Sequence, residues 1–192
     1  MRKPFVEVVS ESDIQERVAQ LGAEISADFA GRQPVVIGVL KGSLPFIADL
    51  TRHLPYRIEV DFLSLTRFGR EGRVSIDMDA SIPLPGRDVI VVEDIVDTGL
   101  TLTTLRRMLE ARGVASVHTV ALLDKAPRRI VEVPVEYRGF EVGDEFLLGY
   151  GLDWKGRYRN VRSLWAVMDL PRLRERPHAF AEIAFTQGVR AR

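Results

Sequence analysis

The residues best suited to chemistry lie between Val89 and Thr104, in the order V-I-V-V-E-D-I-V-D-T-G-L-T-L-T-T. An apolar run ends in two adjacent carboxylates, Glu93 and Asp94, and a third, Asp97, follows. Gly99 then turns the chain among the hydroxyls of Thr98, Thr101 and Thr103. Backbone N–H groups at a helix N-terminus, joined by threonine hydroxyls, make a cradle for phosphate. Glycine lets the backbone approach such an anion closely. Acids and an anion cradle at the end of one buried strand fit a sugar carrying phosphates, with a metal ion nearby. Side chains alternate along a strand, so Glu93 and Asp94 are expected on opposite sides. Asp97 stands between strand and cradle, where its carboxylate can face a ligand.

Three other readings compete. A P-loop needs GxxxxGK[ST], and no lysine follows Gly99. The Rossmann pattern GxGxxG is absent too. Asp97-Thr98-Gly99 is also the triplet of aspartic proteases, whose paired carboxylates share a proton. Those belong to a β-rich fold, whereas here two more acids precede the triplet and a helix follows. An acidic loop that merely caps a helix explains a lone Asp-Thr-Gly, but not the whole ordered stretch.

The elements that must position these groups follow from periodicity and turn chemistry. Residues 10–30 read as an amphipathic helix, with Ser10 as cap and Asp13 in the first turn. Ile14, Val18, Leu21 and Ile25 recur at helical spacing, and Gly31 stops it. The run 35–40 is too apolar for an alternating surface strand and predicts a buried parallel strand. A turn at Lys41-Gly42-Ser43 and a helix over 44–53 come next, with Pro45 tolerated in the first turn. Strands are expected over 57–65 and 88–95, with a short edge strand over 74–78. The polar stretch 67–73 between the first and the last of these is expected to be mobile. A helix over 100–112 ends at Gly113. Further strands are predicted over 116–123, 137–142, 146–152 and 163–168, and the tail after Pro171 has no clear assignment. Strands alternating with single helices imply an α/β fold with a largely parallel central sheet flanked by helices. Ligands bind beyond the carboxyl ends of such strands, which brings Lys41-Gly42-Ser43, Glu93 to Thr101 and Asp124-Lys125 to one sheet edge.

Bulk composition narrows the class. A chain of 192 residues suits one domain, since about 100–200 residues per domain is usual. Lys plus Arg equals Asp plus Glu at 27 each, so no global field attracts nucleic acid or an anionic membrane. The absence of cysteine excludes disulfides and thiolate metal sites. Three scattered histidines without an HExxH pattern make no zinc site. No apolar run approaches the ~18 residues of a membrane helix, and no secretory signal is evident. A cytoplasmic protein is expected.

The stretch V-V-E-D-I-V-D-T-G-L-T resembles the signature with which phosphoribosyltransferases bind 5-phosphoribosyl 1-diphosphate. V-L-K-G-S-L-P-F, V-D-F-L, L-L-D-K, and F-L-L-G-Y-G-L-D-W with Y-R-N resemble, in order and spacing, the hypoxanthine-guanine phosphoribosyltransferases. The likeness runs from about Val35 to Met168. It implies the type I phosphoribosyltransferase fold as a single domain over 1–192. The core would take about 30–168, and a small hood would come from about 1–30 and 137–175. It implies transfer of a phosphoribosyl group to hypoxanthine or guanine, giving IMP or GMP plus pyrophosphate, in a homodimer or homotetramer. The alternative is a regulator of the same fold that senses the activated sugar and binds nucleic acid.

Roles follow from the resemblance position by position. Glu93 and Asp94 match the acids that hold the ribose hydroxyls and, through them, Mg2+, whose usual ligands are hard oxygens and water. Asp97 matches the acid or base facing N7 of the purine. Thr98, Gly99, Leu100, Thr101 and Thr104 match the 5-phosphate loop, with Leu100 where relatives carry Lys or Asn. Lys41 and Gly42 match the pyrophosphate loop, where relatives carry a non-proline cis peptide, and Arg159 matches a further pyrophosphate contact. Lys125 matches the donor to O6 of the purine. An ammonium donates only, so it would reject the amino group of adenine. Phe146 matches the ring stacked on the base, and Trp154 is expected to pack beside Asp153. The carbonyls of Leu147 and Asp153 match acceptors for the guanine 2-amino group, and the Asp153 carboxylate matches a ligand of a second Mg2+. Where relatives carry a Ser-Tyr pair in a closing loop, this chain has Arg67-Phe68. Phe68 keeps a ring without the hydroxyl, and Arg67 is a candidate to reach a pyrophosphate oxygen on closure.

Overall fold

The computed structural model describes residues 3–68 and 73–185, the side chains of residues 67, 68, 73 and 74 excepted. In chain order the elements are β1 (Phe5–Val9), α1 (Glu11–Asp28), β2 (Val35–Leu40), α2 (Leu44–Thr51), β3 (Glu59–Phe68), β4 (Arg73–Met78) and β5 (Asp88–Val96). There follow α3 (Leu100–Glu110), β6 (Ser116–Asp124), a 3-10 turn over Ala126–Arg128, β7 (Tyr137–Glu141), β8 (Phe146–Leu148), β9 (Leu164–Val167), α4 (Leu170–Glu175) and α5 (His178–Ala184). The chain divides into two compact units, one of Arg17–Asp144 and one of Met1–Glu16 with Glu145–Arg192.

The larger unit is built on a six-stranded sheet in the order β4-β3-β2-β5-β6-β7. Strands β3, β2, β5, β6 and β7 run parallel, and only β4 is antiparallel to its neighbour. This is the α/β fold with a largely parallel sheet that the pattern predicts. β2 and β5 are apolar throughout their middles because both faces of the sheet are covered, and Val35, Val36, Ile37 and Val89 to Val92 are fully buried. One core face joins β2 and β5 residues to Leu102, Leu105 and Leu109 of α3. These three recur at helical spacing on one face. Strand order runs outward in both directions from the β2–β5 pair, the type of position where α/β sheets bind ligands. α1 carries the expected stripe, with Ile14, Val18, Leu21 and Ile25 fully buried. Its start is capped reciprocally: Asp13 N–H donates to Ser10 Oγ at 3.2 Å, and Ser10 N–H to Asp13 Oδ2 at 3.3 Å.

The smaller unit has a three-stranded antiparallel sheet, β1-β9-β8. Its core holds Phe5, Leu148, Tyr158, Trp165, Leu173 and Phe180. Phe180 is packed by three rings, Phe5, Tyr158 and Trp165, at centroid separations of 5.0 to 5.8 Å.

Several elements differ from the sequence-based expectation. Residues Phe5–Val9 form β1, a run of only five residues whose middle three, Val6, Glu7 and Val8, are all exposed. Residues 137–141, expected in the small hood, pair in parallel with β6. The long strand expected over 146–152 stops at Leu148, because Gly149, Tyr150 and Gly151 all have positive φ and turn the backbone out of the extended region. The tail forms two short helices, α4 and α5, anchored by buried Leu173 and Phe180. The backbone of Arg67 and Phe68 continues β3 and pairs with β4 instead of lying in a loop. Their side chains, and hence the expected reach of Arg67, lie outside the described residues.

Candidate active site

Three parallel neighbours, β2, β5 and β6, end side by side. Their exits carry Lys41-Gly42, Asp97 to Thr101 and Lys125, so parallel pairing alone gathers three of the polar clusters at one sheet edge. Glu93 is 7% exposed and Asp94 is half-buried. Gly42 is buried against Asp94 so closely that an added Cβ would stand 1.5 Å from Asp94 Oδ2. The Leu40–Lys41 peptide is cis. Ser43 is fully buried and donates to the Val39 carbonyl at 2.6 Å, closing the turn behind Lys41 and Gly42.

Glu93, Asp97, Thr98, Gly99 and Thr101 line one cavity of about 240 Å³. Gly99 has φ +83°, a left-handed conformation natural to glycine, and it precedes α3 without any side-chain cap. A helix N-terminus begun by glycine leaves its first N–H groups without a cap from the N-cap side chain, a position that suits an anion. Leu100 is exposed at the first helical position, and Thr104 Oγ1 donates back to the Leu100 carbonyl at 2.9 Å. Thr104 thus braces the first turn of α3.

Lys125 follows β6 directly and is 8% exposed. Its N–H donates to the Val96 carbonyl at 2.9 Å, which ties the base-reading candidate to the exit of β5. Asp97 meets Arg128, with Nε 2.7 Å from Oδ1, and the same guanidinium lies 2.5 Å from Asp144. These hydrogen bonds, Asp144's first and then Asp97's, push Arg128 further above its ordinary pKa, while Arg128 holds Asp144 below the usual carboxylate range. The sequence reading missed Arg128 and its neighbour Arg129. The only local signal was two arginines close behind the Asp-Lys pair.

In the smaller unit, Phe146 packs edge-on against Trp154 at 5.6 Å, so Trp154 braces the ring proposed to stack on the base. Leu147 is buried in β8. Asp153 accepts from Gly156 N–H at 2.6 Å and pairs with Arg159 at 2.6 Å. Arg159 also donates to the Gly151 carbonyl at 2.6 Å. Two residues expected to touch pyrophosphate and metal thus pair with each other across one tight turn.

Among the described residues no three His, Asp or Glu side chains cluster as a dedicated metal cage. Glu93 and Asp94 in the larger unit, and separately Asp153 in the smaller one, offer hard oxygens of the kind Mg2+ takes together with water and substrate oxygens.

The phosphoribosyl transferase domain model matches residues 9–155, running through both units. The chain is 42% identical over 158 residues to the hypoxanthine-guanine phosphoribosyltransferase of Streptococcus pneumoniae, covering 80% of this chain and 88% of that protein. It is 42% identical over 178 residues to the hypoxanthine phosphoribosyltransferase of Haemophilus influenzae, covering 88% of this chain and 98% of that one. A crystal structure of a hypoxanthine-guanine phosphoribosyltransferase from Bacillus anthracis superposes with a TM-score of 0.83 at 40% identity, covering 85% of this chain and 98% of that chain. By this match and these relatives, with the largely parallel sheet of the larger unit, the chain belongs to the phosphoribosyltransferase family, in the group whose curated members are named hypoxanthine-guanine phosphoribosyltransferases.

Proposed function

We propose that the protein transfers the phosphoribosyl group of 5-phosphoribosyl 1-diphosphate to hypoxanthine and guanine, giving IMP or GMP and pyrophosphate. The observation that carries this reading is the shared cavity of Glu93, Asp97 and the Thr98–Thr101 turn, with buried Lys125 bonded to the same strand exit. Nothing observed favours the regulator alternative, and the relatives' names give it no support.

In this reading each group has one task. The N–H groups at the start of α3, with Thr98 and Thr101, hold the 5-phosphate. Glu93 and Asp94 hold the ribose hydroxyls. Lys41, Gly42 and Arg159 receive the pyrophosphate. Lys125 donates to O6, Phe146 stacks on the ring, and the carbonyls of Leu147 and Asp153 accept the 2-amino group of guanine. The C1–O bond breaks with oxocarbenium character as the purine nitrogen bonds to C1, and the N7 proton passes to the Asp97 carboxylate. Orientation and fixed charge supply most of the acceleration, because the reaction needs little covalent help from protein. Glu93 and Asp94 would hold one Mg2+ by way of the ribose hydroxyls, and Asp153 would be a ligand of a second; when bound, the metal would supply positive charge to the leaving pyrophosphate.

No described helix is long and apolar enough to cross a membrane. We place the reaction in the cytoplasm, in a homodimer or homotetramer, which sizing chromatography tests. The decisive assay mixes the protein, magnesium and activated ribose separately with hypoxanthine, guanine, xanthine and adenine. Turnover of the 6-oxopurines with adenine rejected is expected; no turnover of any base overturns the reading.

A further inference from the structure

The proposed reaction leaves one buried ionic group without a task. Asp124, the last residue of β6, is 2% exposed, and its carboxylate pairs with Arg129, whose side chain is 10% exposed. Arg138 approaches the other carboxylate oxygen at 3.3 Å, but its own side chain is 60% exposed. A buried carboxylate is tolerated only when it is paired and hydrogen-bonded, so the inner partner, Arg129, is held firmly in place. The guanidinium is planar and forked, and its second arm is not spent on Asp124. Nη1 donates instead to the main-chain carbonyl of Asp97 at 2.8 Å.

The residues after Arg129 extend this grip. Ile130 N–H and Val131 N–H both donate to the Thr98 carbonyl, at 3.0 and 3.2 Å. The Val131 carbonyl and Arg129 Cδ lie 2.4 and 3.0 Å from where a Cβ on Gly99 would stand. Residues 129–131 are therefore the floor of the Asp97–Gly99 turn. Thr98 is fastened by backbone, whereas the Asp97 carbonyl is fastened by a side chain anchored one strand away.

We propose that Arg129 is a positioning residue for the phosphate loop. Anchored on Asp124, it fixes the Asp97 carbonyl and so sets the direction of the first α3 N–H groups and of the Asp97 carboxylate. Small displacements of such groups are costly in catalysis even where folding is unaffected. The inference rests on the phosphoribosyl reading of that loop.

The test uses the full chain and Arg129→Lys, which keeps a charge for Asp124 but replaces the rigid fork by a single nitrogen. Ribose 5-phosphate binding is measured by calorimetry, alongside kcat and the KM for 5-phosphoribosyl 1-diphosphate. Arg138→Gln removes the other Asp124 partner without touching the loop, and Thr101→Val perturbs the loop itself. Arg129→Lys is expected to weaken ribose 5-phosphate binding and raise the sugar KM between about tenfold and a hundredfold. Arg138→Gln should stay within about twofold of the parent. A folded Arg129→Lys protein with parent-like binding, or an equal loss in Arg138→Gln, overturns the proposal. If Arg129→Lys does not fold, the neutral pair Asp124→Asn/Arg129→Gln is read by the same criteria. Loss in Thr101→Val without loss in Arg129→Lys sinks this inference alone, whereas no loss in either removes the phosphate-loop reading beneath it.

Discussion

Gly42 and Asp94 occupy each other's space: a single methyl group on Gly42 would meet the Asp94 carboxylate at 1.5 Å. The turn after β2 and the acid at the end of β5 are thereby fitted to each other, although sequence separates them widely. Gly42→Ala should force the Asp94 carboxylate aside. Because the clash falls on the far end of the Asp94 side chain, which can rotate at the cost of its 2.9 Å hydrogen bond from Ile95 N–H, the stability loss should stay within about 1–2 kcal/mol. Catalytic efficiency should fall by about a hundredfold if Asp94 holds the ribose as proposed, since the acid is displaced. Melting temperature and kcat/KM measured together check this, and parent-like kinetics would remove Asp94 from the sugar site.

Lys125 is almost fully buried, so an ammonium proposed to donate to the base would meet little competition from water. Losing a charged hydrogen bond costs about 1.5–3 kcal/mol. Lys125→Gln should therefore lower kcat/KM for hypoxanthine by roughly ten- to hundredfold. An amide can also accept, so the preference for hypoxanthine over adenine should narrow. Competition assays with both bases measure that ratio, and an unchanged ratio would assign base choice elsewhere.

The Asp153–Arg159 pair locks a turn that also uses the Gly156 N–H and the Gly151 carbonyl. Arg159→Gln should raise the KM for pyrophosphate in the reverse reaction by about tenfold. Asp153→Asn should instead raise the magnesium concentration needed for half-maximal rate. A magnesium titration identical to the parent's would exclude Asp153 from the metal site.

Acid sensitivity should be visible in the larger unit. Asp79 is held below its ordinary value of 3.8, first by side-chain hydrogen bonds from Arg112 at 2.7 and 2.8 Å. At Asp61 burial pushes upward, but hydrogen bonds from the backbone of Ile82, Phe62 and Ser81 outweigh it and its value also falls below 3.8. Carboxylates depressed in the folded state add stability above the unfolded pKa, and that stability is lost as pH falls through the folded value. The urea midpoint should therefore drop between pH 5 and pH 3, a window set by carboxylates near ~4. Asp61→Asn should lessen the drop. The exposed Asp79 side chain, at 49%, contributes the smaller share because solvent screens it. An equal drop in parent and Asp61→Asn proteins would place the acid-sensitive group elsewhere.

Local pattern alone determined much of this protein. Apolar runs at 35–40, 88–95 and 116–123 specified buried parallel strands, and the order Glu93, Asp94, Asp97, Thr98, Gly99 placed acids and an anion cradle at a strand end. Both are legible because periodicity and turn chemistry act over a few residues. Only the tertiary structure decided which distant groups meet. The five residues of β1 gave no hint of their pairing with β9, far along the chain. Tyr150 adopts positive φ in a segment whose composition reads as strand. Arg129 was one of two adjacent arginines until folding set it between Asp124 and the Asp97 carbonyl. An ionic partner or a methyl-sized clash depends on chain closure across whole strands, and no short-range propensity encodes that geometry.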